Sequence, residues 1–387
     1  GQTLSYAQVA AKIGKPKALP KHRLPLPAPL RRQWLLRTAA LGATALLSGL
    51  PLRAQALPAR QRQFPRDFGS HPDLRTEWWY ITGLALAGGQ RWGFQVTFFR
   101  SRVEGTQALR SAFAARQLIF AHAALTDLQA GRIFHDQRIA RAGFGVAQAS
   151  EQDTAVQLQD WSLVRKTSGN GRSSAYTAQV QAQDFSLALQ FDTTQPVLLQ
   201  GDNGLSRKGP QAEQASYYYS QPQLQVSGSL QRGGARFVIE PASAPGDNRA
   251  WLDHEASQAL MHPEAVGWDW IGMNLHDGSA LTAFRLRRAN GSALWAGGSL
   301  RVAGQAARLL SAEEVVFRPQ RSWVSPLEGT RYPVQWHVST PAGTFEVRAL
   351  LDNQELDSRA STGAVYWEGV CALHDVSGAL RGHGYLE

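Results

Sequence analysis

Apolar and polar residues alternate through 91–98, with Trp92, Phe94, Val96 and Phe98 on one face and Gly93, Gln95 and Thr97 on the other. A period of two is that of a half-buried strand. Ala87-Gly88-Gly89-Gln90 supplies the turn before it. The same pattern predicts strands over 155–163, 176–182, 185–191, 223–231, 237–240, 334–339 and 344–351. Helical periodicity is weak beyond the first fifty-odd residues, so the class is all-β with antiparallel sheets. Two stretches echo each other. Trp78-Trp79-Tyr80-Ile81-Thr82-Gly83-Leu84 leads through a glycine turn into 92–99, and Trp268-Asp269-Trp270-Ile271-Gly272-Met273-Asn274-Leu275 leads through His276-Asp277-Gly278-Ser279 into 281–286. Both are tryptophan-rich hairpins with glycine in the first strand. The expected organisation is two related β-barrel domains, 57–245 and 246–387, joined at the Pro- and Gly-containing segment 241–248.

Composition supports this reading. With 387 residues, 43% hydrophobic, 36 Gly and 12 Trp, the chain can fill two cores rich in turns and strands. The formal charge of +10 suggests nucleic acid until its distribution is considered. Residues 1–56 carry nine Lys and Arg and no acid, so 40 less nine, or 31, bases face 30 acids in the remainder. A broad basic face is thereby excluded, and no nucleic-acid partner is expected. Within 1–56, Arg31-Arg32-Gln33-Trp34-Leu35-Leu36 resembles a twin-arginine consensus, 38–50 is apolar, and Ala54-Gln55-Ala56 offers a cleavage site. The expectation is export to the periplasm or beyond. Residues 1–18 resemble the DNA-binding helix region of O6-alkylguanine alkyltransferases, but the Pro-Cys-His-Arg motif of those enzymes is absent. Cys371, the single cysteine, forms no intramolecular disulfide and reads as a small core residue.

The chain lacks G-x-S-x-G, H-E-x-x-H, P-loop and G-x-G-x-x-G motifs, which argues against the common serine hydrolases, zincins, NTPases and Rossmann enzymes. No metal site and no cofactor is expected. The densest polar cluster is Ala250-Trp251-Leu252-Asp253-His254-Glu255. In a strand, Asp253 and Glu255 point one way and His254 the other. An inward carboxyl in an apolar cavity is a weak enough acid to donate near neutrality, and a neighbouring His relays or accepts the proton. The competing reading is a buried network joining the two domains. Glu77-Trp78-Trp79-Tyr80 reads either as a wall against a flat or long hydrocarbon or as core closure. His122, in an apolar run, reads as a core residue or a catalyst. In Trp268-Asp269-Trp270 the two indoles share a face and Asp269 takes the other. The loop 201–209, which carries Lys208, and Tyr217-Tyr218-Tyr219-Ser220 read as a pocket rim or as ordered turns. Tyr366-Trp367-Glu368-Gly369 sets another acid beside aromatics.

Taken together these blocks resemble the lipocalin-like family of carotenoid 1,2-hydratases and predicted secreted hydrolases. The blocks are His71-Pro72, Glu77-Trp78-Trp79-Tyr80, Phe120-Ala121-His122-Ala123, Asp202 to Lys208, Tyr217 to Ser220, Ala250 to Glu255, Gly267 to Trp270, Asp352 to Leu356, Tyr366 to Gly369 and Gly384 to Glu387. The resemblance implies two tandem lipocalin-like antiparallel barrels with a cavity near their junction. It implies cofactor-free hydration of an isolated C=C, or hydrolysis of a lipophilic substrate, with Asp253 as proton donor and His254 as its partner. Trp251, Trp268 and Trp270 would be cation-stabilising walls, and Glu77, Trp79, Tyr80, His122, Tyr218, Asp269 and Trp367 would be substrate-binding. It also implies a non-catalytic alternative, a periplasmic lipid-binding protein working with an ABC transporter permease. One departure stands out. The family often has Trp two residues after the His, where this chain has Ala256, which predicts the loss of one aromatic wall.

Overall fold

The structure, a computed structural model, describes residues 56–167, 173–258 and 262–387. The leader and the expectation of export lie outside the described residues. Among the described residues the regular structure is strands and short 3-10 turns. The chain builds a 14-stranded and a 9-stranded antiparallel sheet, which curl into a nearly closed barrel and a half-barrel.

Both sheets follow one plan, which accounts for the echo in the sequence. In the first, the opening strand Thr76–Ala87 forms a hairpin with Gln90–Arg102 on one side and pairs with Arg249–Ser257, a late strand, on the other. In the second, Gly267–Leu275 pairs with Ala280–Arg287 and with the last strand, Leu380–Leu386. Joining first strand to last wraps a meander into a barrel and hides the edges that an open sheet would expose. Strand Arg249–Ser257 belongs to the first sheet, so the change of sheet falls between Ser257 and Gly267 and not at the expected 245/246. The expected strand 155–163 is two strands, Ala155–Leu158 and Trp161–Thr167, because Gln159 takes a φ of 57° in the turn between them.

Each barrel has its own core. Trp79, Phe94, Phe98, Trp161 and Phe191 belong to the first, and Ile271, Met273, Trp336, Val347 and Cys371 to the second. A third cluster lies between them, with Tyr80 and Trp251 from the first sheet and Trp270, Phe284, Val370 and Tyr385 from the second. The opening strand is therefore buried on both faces, as its largely apolar run from Trp78 to Ala87 requires. Gln223 locks the two sheets together. It has a φ of 58° at a register shift in strand Ala215–Arg232, and its backbone N–H donates to Asn274 Oδ1 (2.7 Å). Its side-chain amide donates to the carbonyls of Leu275 (2.9 Å) and Ser279 (2.8 Å).

Candidate active site between the two sheets

Pleating divides the side chains of the opening strand. Thr76, Trp78 and Tyr80 face a cleft between the sheets, while Glu77, Trp79 and Ile81 turn into the first barrel. The cleft encloses about 850 Å³, its open mouth included. Its walls are mostly aromatic and apolar: Trp78, Tyr80, Phe99 and Tyr218 from the first sheet, and Trp268, Trp270, Phe284 and Leu286 from the second. The ionisable residues set into this surface are Asp253, Glu255, Lys208 and Glu387.

Asp253 lies in register with Tyr80 on one neighbouring strand and Ser220 on the other. Its Oδ1 accepts from Ser220 Oγ (2.5 Å) and Trp251 Nε1 (2.7 Å), and its Oδ2 accepts from the Tyr218 hydroxyl (2.7 Å). Burial raises its pKa to about 7, outweighing the three donors, each of which favours the anion. The acid is held in one orientation and is half-protonated near neutrality. Glu255, on the same face, pairs with Lys208 Nζ at 3.2 Å. The Lys208 ammonium also lies 4.4 Å from the Tyr218 ring centre and 4.5 Å from that of Phe284. On the second sheet, Glu387 Oε2 accepts from Trp268 Nε1 (2.6 Å). Burial raises the Glu387 pKa to about 7.

His254 takes the other face of its strand. Its ring stacks on Trp79 at 4.7 Å, inside the first barrel, and its Nε2 is hydrogen-bonded to Glu77 Oε1 (2.9 Å), which accepts. Burial lowers the His254 pKa against the pull of Glu77. Its hydrogen bond thus runs away from Asp253. Glu77 also meets His71 Nδ1 (2.7 Å) and Arg100 Nε (2.8 Å), and His71 Nε2 reaches Asp67 Oδ1 (3.0 Å). Burial works to raise the Glu77 carboxyl, but Arg100 and the two imidazoles hold it well below the usual range. Burial likewise opposes charge on His71, yet Asp67 and Glu77 raise its pKa. The ligand atoms of His71, Glu77 and His254 lie within 4.8 Å of one another, close enough for a metal ion. The Arg100 guanidinium on the same carboxylate, and Asp67 on the second nitrogen of His71, make the cluster a buried charge network in which, among the described residues, His254 Nδ1 alone is left without a hydrogen-bond partner.

The other residues singled out in the sequence divide in the same way. Tyr80, Tyr218, Trp268 and Trp270 line the cleft, and Trp251 backs it, edge-on to Trp270 at 6.4 Å. Glu77 and Trp79 are inside the first barrel. Asp269 is buried opposite its two flanking indoles, between Arg285 (2.6 Å) and Arg287 (3.0 Å). Trp367 belongs to the core of the second barrel, where its Nε1 donates to the Asp352 carbonyl (2.7 Å). His122 joins the first sheet to the 355–367 ribbon, bonding the Tyr366 hydroxyl (2.8 Å) and Ser361 Oγ (2.9 Å). Burial lowers its pKa to about 3, so it is neutral there. Ala256 shares the face of His254, two residues away, so its small side chain removes nothing from the cleft, contrary to the sequence expectation. Sequence reasoning missed Phe99 and Phe284; it read Lys208 and Ser220 only as a pocket rim or ordered turns, and gave Glu255 and Glu387 no role. The alternation of Tyr218 with Ser220 and the scarcity of lysine after residue 56 were the available signals.

Residues 55–387 match the profile of the AttH-like family. The crystal structure of a candidate AttH from Nitrosomonas europaea is 45% identical, with a TM-score of 0.77, covering 86% of this chain and 98% of that one. Kievitone hydratase from Nectria haematococca is 15% identical with a TM-score of 0.60, over 86% and 93% of the two chains. CghA is 13% identical with a TM-score of 0.51, over 88% and 94%. These last two are likenesses of fold. No curated protein matches the chain. With its profile match spanning both sheets, the chain belongs to the AttH-like family.

Proposed function

We propose that the protein is an acid catalyst that adds water across an isolated carbon–carbon double bond of an acyclic, isoprenoid-type substrate, after export from the cytoplasm. The observation that carries this reading is Asp253, a buried carboxyl with a pKa of about 7, held by three donors in a cleft walled by aromatic rings. Protonated Asp253 gives its proton to one alkene carbon, and the π pair becomes the new C–H bond. The tertiary cation left on the other carbon lies among the faces of Trp78, Tyr80, Trp268 and Trp270, whose quadrupoles stabilise positive charge. Water bonds to the cation and loses a proton, which completes the alcohol. The hydratase name of the Nectria structure is in keeping with this chemistry, although that likeness bears on fold alone.

Hydration fits the cleft better than hydrolysis by a serine nucleophile. Ser257 lines the wall, but its hydroxyl donates to the Ala215 carbonyl (3.0 Å), and the described lining residues include no histidine to activate it. The test uses lycopene in detergent micelles with ¹⁸O-water and follows label in the product by mass spectrometry. D253N should lower the rate by roughly 10²–10⁴-fold while binding persists. Stoichiometric lycopene binding with no labelled product, unchanged in D253N, would instead support the carrier acting beside an ABC transporter permease.

A further inference from the structure

Among the described residues the two most exposed phenylalanines lie against each other. Phe113 is 73% exposed and Phe144 59%, and their rings stack at 5.4 Å with 14° between the planes. The Arg141 guanidinium lies over both, 4.0 Å from the Phe144 ring centre and 5.5 Å from that of Phe113. Leu109, also exposed, stands on the same loop as Phe113. That loop, 103–116, is closed at its neck. The Val103 N–H donates to the Arg116 carbonyl (2.9 Å), and the Thr106 hydroxyl donates to that of Ala115 (2.7 Å). Its apolar tip is therefore a fixed projection held in water, the kind of contiguous patch that marks an interaction surface. Basic residues collar it. Arg102 pairs with Glu104 and Arg138 with Asp160, while Arg110, Arg116 and Arg141 have no carboxylate partner among the described residues.

The patch continues the wall of the cleft. Residues directly opposite one another on paired strands share a face. Trp78 is opposite Phe99, Phe99 opposite Phe120, and Phe120 opposite Ile139. Thr76, Ser101, Leu118 and Arg141 align in the same way. Thr76, Trp78 and Phe99 line the cleft. Their face thus runs across three strand spacings, about 14 Å, to the exposed Ile139 and to Arg141 beneath the two rings.

We propose that Leu109, Phe113 and Phe144 enter the apolar layer of an anionic lipid bilayer, with Arg110, Arg116 and Arg141 on its phosphates, and that the cleft draws its substrate from that membrane. Docking stands on the patch alone; the passage of substrate rests on the lipophilic-substrate reading above. Aromatic rings beside arginines suit the boundary between headgroups and acyl chains, and an anionic leaflet attracts the unpaired cations. A projecting apolar tip needs no shaped socket in a fluid bilayer, as it would on a protein partner.

The test uses the full chain carrying A112C, labelled with an environment-sensitive nitrobenzoxadiazole dye. Cys371, the single native cysteine, is buried and stays unlabelled. On vesicles of phosphatidylcholine with phosphatidylglycerol the dye should brighten, shift to the blue and be quenched by spin-labelled acyl chains. F113S/F144S should weaken binding roughly tenfold or more, and R110Q/R141Q should remove the preference over pure phosphatidylcholine. All four sites lie at the surface, so melting curves should match the parent protein. A dye unmoved by vesicles, a response unchanged in F113S/F144S, or equal binding of the parent to both vesicle types would overturn the proposal. So would a response without lipid that grows with protein concentration, which would show a second copy on the patch. Lycopene turnover tests delivery. F113S/F144S should slow it roughly tenfold from vesicles and leave it unchanged in detergent micelles. Equal rates from vesicles would overturn delivery. No turnover by the parent in either medium would contradict the hydration reading instead, and the dye would still decide docking.

Discussion

Asp253 accepts three hydrogen bonds that favour its anion, and burial still raises its pKa to about 7. That imbalance is also a statement about stability. The unfolded chain ionises this carboxyl near 3.8 and the folded chain near 7, so between these values the folded state binds the extra proton. Its contribution is complete below the unfolded pKa and disappears as pH rises through the folded one, a swing on the order of 4 kcal/mol. D253N should therefore be less active than the wild type yet flatter in stability between pH 4 and 8, as read from urea unfolding midpoints. A wild type whose midpoint rises through that window, with D253N falling, would contradict the assignment. Glu77 has the opposite sign. Its depressed pKa gives stability that is present above the usual glutamate range and lost on acidification. E77Q should cost about 3–5 kcal/mol, because it leaves Arg100 without its buried counter-charge and takes from His71 one of its two carboxylate partners.

At the level of the strand, Gly272 shows why the second hairpin carries glycine. A Cβ there would strike the Trp270 indole and press on that of Trp251, the two rings that stand behind and beside Asp253. G272A should lower activity and cost about 1–3 kcal/mol of stability, measured by turnover and thermal melting, with tryptophan emission shifted as the indoles move. How much of this was legible follows from how local each signal is. The alternation at 91–98 extends to a strand Gln90–Arg102 whose side chains are buried on both faces, so the pattern reads clearly only where small or polar residues mark one of them. The opposite pointing of Asp253 and His254 follows from the period of two. That His254 would leave Asp253 for Glu77 does not, because 177 positions separate the partners and only the pairing of Thr76–Ala87 with Arg249–Ser257 joins them. The same long-range pairing puts the change of sheet after 257. A break rich in Pro and Gly at 241–248 marks a loop, and loops occur within domains as readily as between them.

Across the whole molecule, neither sheet owns the site. Asp253, Tyr218 and Lys208 come from the first half, and Trp268, Trp270, Phe284 and Glu387 from the second. The cluster that joins the halves buries Tyr80 and Trp251 against Trp270, Val370 and Tyr385, so residues 57–258 expressed alone should expose that face, bind a hydrophobic dye and show no turnover. Fold class and the Trp-rich hairpins were legible because each is local. The place of Glu387 in the cleft was not, since its carboxyl meets Trp268, 119 positions away, only once the last strand, Leu380–Leu386, pairs with Gly267–Leu275. The central claim is that Asp253 carries a proton where an ordinary aspartate has lost it. Infrared difference spectra of wild type against D253N, recorded from pH 5 to 9, measure this without knowledge of the substrate. The account predicts a protonated-carboxyl band at pH 6 that titrates away near pH 7. A carboxylate band already complete at pH 5 would contradict it.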